Sequence, residues 1–64
     1  MLISKSAAKR MIRNAGAARV GDDAAAEFAN MINRFAYSIA SKAVKLAAHA
    51  KRKTVEKSDI KLAR

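Results

Sequence analysis

Basic side chains are the chemistry this sequence carries: fourteen Lys and Arg stand against five Asp and Glu, leaving a formal net charge of +9. Cations that stay charged at neutral pH suit phosphate, so the excess points to nucleic acid or another anionic surface. The charge is unevenly placed. Residues 1–20 hold Lys5, Lys9, Arg10, Arg13 and Arg19 with no acid, and residues 51–64 open on the run Lys51-Arg52-Lys53-Thr54. Between them, Asp22, Asp23 and Glu27 balance Arg34, Lys42 and Lys45. Catalysis has little to work with. His49 is the single histidine, cysteine is absent, and no His, Cys and carboxylate constellation exists. No metal, cofactor or small-molecule substrate is expected, and an enzyme has almost no support. Aromatic residues interleaved with the basic ones, the habit of single-strand binders, are also missing.

Three helical segments must position these cations. Ser4 can cap a first helix over about residues 5–14, with Ala8, Met11, Ile12 and Ala15 on one side and Lys9, Arg10 and Arg13 mostly on others. Asn14-Ala15-Gly16 reads as its stop, with Gly16 free to take a left-handed conformation. A short loop, Ala17 to Gly21, carries Arg19 and Val20. Asp22 is expected to cap a long helix running to about Ala50, with Asp23 and Glu27 complementing the positive end of its dipole. That segment contains no Gly or Pro and would make a rod of roughly 43 Å at 1.5 Å per residue. Thr54-Val55-Glu56 reads as a short extended stretch, and Lys57 to Ala63 as a last helix of about two turns.

Along the long helix, Ala25, Phe28, Ile32, Phe35, Ile39 and Leu46 recur at alternating steps of three and four, with Lys42 where the next apolar residue is due. The remaining residues are too few to cover such a stripe. Core volume must come from Ile12, Val20, Phe28, Met31, Ile32, Phe35, Ile39, Val44, Leu46, Val55, Ile60 and Leu62, a thin core for one chain and a plausible one for an intertwined pair. Flanking alanines would let two backbones cross closely. No secretory signal and no run near the roughly 20 apolar residues of a membrane span is read, which favours a soluble intracellular protein.

Several stretches together resemble the archaeal histones: Ile12-Arg13-Asn14-Ala15-Gly16-Ala17-Ala18-Arg19-Val20, Asp22-Asp23-Ala24, Ile39-Ala40-Ser41, Ala43-Val44-Lys45-Leu46-Ala47 and His49-Ala50-Lys51-Arg52-Lys53-Thr54-Val55. The likeness covers nearly the whole chain. It implies an all-α histone fold over residues 1–64 as a single domain, two copies crossing head to tail through their long helices in a handshake dimer. The first loop of one chain would then lie beside the second loop of its partner. On double-stranded DNA the resemblance implies that Arg19 enters the minor groove with Thr54 of the partner beside it. Lys53 would contact phosphate, and Lys9, Arg10 and Arg13 would line the track between the loops. Arg52 is implied as structural, paired with Asp59. Leu46, His49, Asp59 and Leu62 would meet their copies where dimers join into tetramers or polymers, and a small residue at Gly16 would let turns of wrapped DNA stack.

Each assignment has a plainer reading. A loop Arg is ordinarily a solvated charge, a basic helix face usually just faces water, His49 can serve the negative end of the helix dipole, and Gly16 can be a simple cap. Tyr37 and Met31 read as packing. Two departures from the family's pattern stand out. Lys5 occupies a position where a buried residue is usual, and Lys51 replaces a frequent Gly after the long helix. The resulting expectation is a chromosome-associated, cytoplasmic histone that binds, bends and wraps duplex DNA with little sequence preference. The alternatives are a histone-fold subunit of a heteromeric transcription factor, which needs a different partner chain, and a basic amphipathic peptide acting on membranes. Charges clustered at loops and ends, with capping residues marking distinct helices, speak against the membrane reading.

Overall fold

The computed structural model describes residues 2–64, which form α1 (Lys5–Asn14), α2 (Asp22–His49) and α3 (Lys57–Ala63). Among the described residues there is no strand, and no helix is long and apolar enough to cross a membrane. The chain is all-α in the order short, long, short. It divides into two compact units, Met1–Arg34 and Phe35–Arg64, with α2 contributing to both.

In the first unit α1 starts where its cap allows. Ser4 is extended and its hydroxyl oxygen accepts the Ala7 N–H at 3.1 Å, satisfying one of the free donors of the first turn. The segment before it is tied down by one side chain. The Asn33 amide accepts the Ile3 N–H at 2.9 Å and donates back to the Ile3 carbonyl at 3.2 Å, copying the two-way pairing of a strand. At the other end, Gly16 takes φ of 121°, its N–H donates to the Arg13 carbonyl and the Ala17 N–H donates to the Ile12 carbonyl. That pair of bonds is a Schellman closure, which turns the chain sharply and needs a residue tolerant of positive φ.

The start of α2 differs from the expectation. Asp22 is the first helical residue, and the cap position falls to Gly21, whose carbonyl accepts the Ala25 N–H at 3.0 Å. The physical reason lies in both aspartates. Asp23 covers the Ala24 N–H from one residue away at 2.8 Å, and Asp22 turns to the Lys9 ammonium at 2.7 Å. A side chain at position 21 would also crowd Asp23, since a Cβ there would lie 3.1 Å from its Oδ1.

The end of α2, in the second unit, repeats the Schellman geometry. Lys51 donates to the Ala48 carbonyl and Arg52 to the Ala47 carbonyl, each at 2.9 Å, with Lys51 at φ of 60°. Here the left-handed position holds a lysine, which crowds its own Cβ against the backbone. Glu56, extended, precedes α3, and its carbonyl accepts the Asp59 N–H at 3.0 Å.

One chain covers little of the core anticipated for an intertwined pair. None of the large apolar residues anticipated as core is fully covered. Among the described residues the buried apolar ones are all alanines, Ala8, Ala25 and Ala29 in the first unit and Ala43, Ala47 and Ala63 in the second. Two helices touching along one seam can enclose only the small side chains at the seam itself. Larger ones stand beside it with nothing over them. Phe28, Ile32, Ile39 and Leu46 are half-buried, whereas Phe35 is 67% and Leu62 75% exposed.

Replacing Lys51 by Gly is expected to raise unfolding free energy by about 1 kcal/mol, because relief of left-handed strain exceeds the entropy cost of glycine. Gly16→Ala, at a site with open space but positive φ, should lower it by about as much. Urea unfolding at one fixed chain concentration checks both.

Candidate nucleic-acid interface

Four of the cations anticipated as DNA contacts stand free in the structure. Arg10 and Arg13 lie three residues apart on α1, Arg19 sits in the loop after it, and Lys53 lies in the loop after α2. All four are exposed, and none makes an ion pair among the described residues. Thr54 is exposed as well, and its backbone carbonyl accepts from Arg52. The arrangement presents charge on backbone that is itself held in place, by the Schellman closure beside Arg19 and by a second device beside Lys53.

Lys9 stands apart from this group. Its ammonium lies 2.7 Å from Asp22 Oδ1 and its side chain is half-buried, so a phosphate arriving there would compete with a carboxylate already in contact. The Lys9 hydrogen bond, with the charges of Lys5 and Lys9 behind it, holds the Asp22 carboxyl below its usual range. The pairing joins residues 13 apart, and no spacing rule would have found it.

Beside Lys53 the structure brings Arg52 and Asp59 together. Arg52 Nη1 donates to Asp59 Oδ2 and Nη2 to Oδ1, both at 2.9 Å, the parallel fork that guanidinium and carboxylate geometry favours. Nη1 also donates to the Thr54 carbonyl at 3.0 Å and lies 3.5 Å from Glu56. Asp59 in turn accepts the Glu56 N–H at 2.8 Å and is 3% exposed. One side chain thus clamps the loop from residue 52 to residue 59. The Arg52 hydrogen bonds, helped by the Glu56 N–H, hold the Asp59 carboxyl down to about 2, and the same bonds raise Arg52. Burial acts against both shifts and loses.

Of the four residues anticipated where dimers join, Leu46, His49 and Leu62 line one shallow groove between α2 and α3. Asp59 is buried and held by Arg52. Lys42 and Lys45 line the same groove. Sequence reasoning placed neither lysine in a site, although Lys42 interrupting the apolar stripe was the available signal. Among the described residues, no group of three or more His, Cys, Asp or Glu could hold a metal ion.

A depressed carboxylate contributes stability that is present above its unfolded value, near 3.9, and is lost as pH falls through its folded value. Asp59 and Asp22 act in the same sense. Stability is therefore expected to be level from pH 7 to about 5 and to fall between about pH 4 and 2, with Asp59→Asn flattening part of that fall. Arg52→Ala should lower the thermal midpoint at pH 7, with Arg52→Lys recovering only part, since an ammonium cannot form the fork. Circular dichroism melts across pH check both.

The comparisons with known proteins agree on one family. A family model described as histone-like transcription factor (CBF/NF-Y) and archaeal histone matches residues 1–63. The chain is similar to a subunit of the archaeal histone HAN1 of Thermococcus zilligii, 46% identical over 54 residues, covering 84% of this chain and 81% of that protein. It is similar to probable archaeal histone 3 of Methanocaldococcus jannaschii as well, at 48% identity over the same length and shares.

Proposed function

The chain belongs to the family of histone-like transcription factors (CBF/NF-Y) and archaeal histones, and on that premise we propose that it is a chromosomal histone acting on duplex DNA. Residues 1–64 work as one histone-fold domain that a second copy completes. Support for the pairing comes from the uncovered apolar residues: Met31, Phe35, Tyr37, Val44, Ile60 and Leu62 are each exposed by more than two-fifths in the single chain. Head-to-tail crossing through α2 gives such residues cover and sets the first loop of each copy beside the second loop of the other.

The observation that carries the DNA reading is the set of exposed, unpaired cations Arg10, Arg13, Arg19 and Lys53 in a chain of this family. Arg19 enters an inward-facing minor groove with the partner's Thr54 beside it, Lys53 meets phosphate, and Arg10 and Arg13 hold the stretch between. Lys9 joins only where phosphate displaces Asp22. Such contacts bend the duplex without reading bases, so preference among sequences follows bendability. Further dimers add along the DNA into tetramers or longer arrays, where the duplex supplies the counter-charge that the groove of Leu46, His49 and Leu62, with its two lysines, lacks in free solution.

A gel-shift and nuclease-protection titration on linear duplex tests the reading. Binding should fall steeply with salt, and Arg19→Ala should weaken it roughly tenfold while lowering the log–log salt slope by about two, because each copy then neutralises one phosphate fewer. Protected lengths rising by a constant increment would support arrays, a single protected length would leave the dimer alone, and no duplex binding at low salt would remove the function.

A further inference from the structure

Two lysines of α1 act on one carboxylate. Lys5 and Lys9 lie four residues apart, about one helical turn, and so stand on the same side of the helix. Asp22 at the start of α2 meets the Lys9 ammonium at 2.7 Å. The Lys9 hydrogen bond first, and then the charges of Lys5 and Lys9, hold its carboxyl below the usual range. Lys5 itself is exposed and makes no ion pair among the described residues.

The start of α2 does not need that carboxylate as a cap, because Asp23 covers the Ala24 N–H at 2.8 Å. Two roles are then open to the pair. As a latch between α1 and α2 it would need Lys9 alone, and an exposed pair makes a weak latch: the Asp22 side chain is 71% exposed. As a stand-in for a ligand it uses both lysines. A phosphodiester carries the same single negative charge on paired oxygens and takes the same ammonium donors. A duplex backbone bearing one such charge on every nucleotide can therefore take the place of a weakly held carboxylate.

We propose that Lys5 and Lys9 form a phosphate site on α1 that Asp22 fills in the free chain, its carboxylate holding duplex affinity down until a phosphodiester displaces it. The site presupposes the duplex binding proposed above, but not the contacts of Arg19 or Lys53.

The test is fluorescence anisotropy of a short labelled duplex titrated with the full chain at several salt concentrations, comparing Asp22→Asn with Asp23→Asn, which removes the same charge one residue away. Asp22→Asn should tighten binding at least roughly threefold more than Asp23→Asn, because it alone releases Lys9. That advantage should vanish when Lys5→Gln plus Lys9→Gln is added to both. With Asp22→Asn in place, Lys9→Gln should lower the log–log salt slope by about two for a dimer, one phosphate per copy. Circular dichroism confirms that each variant folds, and Asp22→Ser serves as a second neutral replacement. The proposal is overturned if Asp22→Asn and Asp22→Ser bind no tighter than Asp23→Asn, if they bind more weakly than the unsubstituted chain, as a latch would require, or if their advantage survives the loss of both lysines. Any of these results with duplex binding intact removes this site and leaves the proposed function standing, whereas no duplex binding by any variant removes both.

Discussion

Apolar side chains that one chain cannot cover are the constraint on which the rest of this molecule depends. Fully burying a side chain such as Phe, Leu or Met is worth about 1.5–3 kcal/mol, and among the described residues nine large apolar ones are exposed in the single chain, from Leu2 to Leu62. Covering even half of them would contribute on the order of 10 kcal/mol, comparable with the whole stability of a small domain. The alanine seams at Ala25 and Ala29 and at Ala43 and Ala47 cannot supply that. They bring helices close while burying little area. On the proposed reading association is part of folding, and apparent stability depends on chain concentration.

Given that constraint, the polar network is devoted to holding loops rather than to filling a core. Asn33 holds the segment before α1, and two Schellman closures hold the exits of α1 and α2. Arg52 fastens the loop before α3 through Asp59, Glu56 and the Thr54 carbonyl. The consequence is charge on prepared backbone. Arg19 and Lys53 keep their own side chains free because neighbours do the structural work, and a side chain with no internal partner loses none when it meets phosphate.

Much of this was legible in the residues. Ser4 and Gly16 marked the bounds of α1, and the three-and-four spacing of Phe28, Ile32, Phe35 and Ile39 marked α2 as one helix with an uncovered stripe. Lys51 in place of glycine announced the strained turn found at φ of 60°. What could not be read depends on which of several equivalent partners a charge selects. Asp22 looked like a cap because an Asp opening a helix usually is one, and only the fold brings Lys9 within 2.7 Å of it. The seams within one chain were hidden for a related reason: apolar spacing reports which side of α2 wants cover but not that Ala8 and Ala63, rather than Ile12 or Ile60, are the residues that the chain encloses by itself.

The most direct test of the central claim is the mass of the isolated protein in solution by sedimentation equilibrium at micromolar concentration, without DNA, with helicity measured on the same sample. A particle of two chains that loses helicity as it dissociates on dilution is the predicted result. A helical monomer that stays folded on dilution, or a chain that gains helicity only when a different histone-fold chain is added, would contradict it.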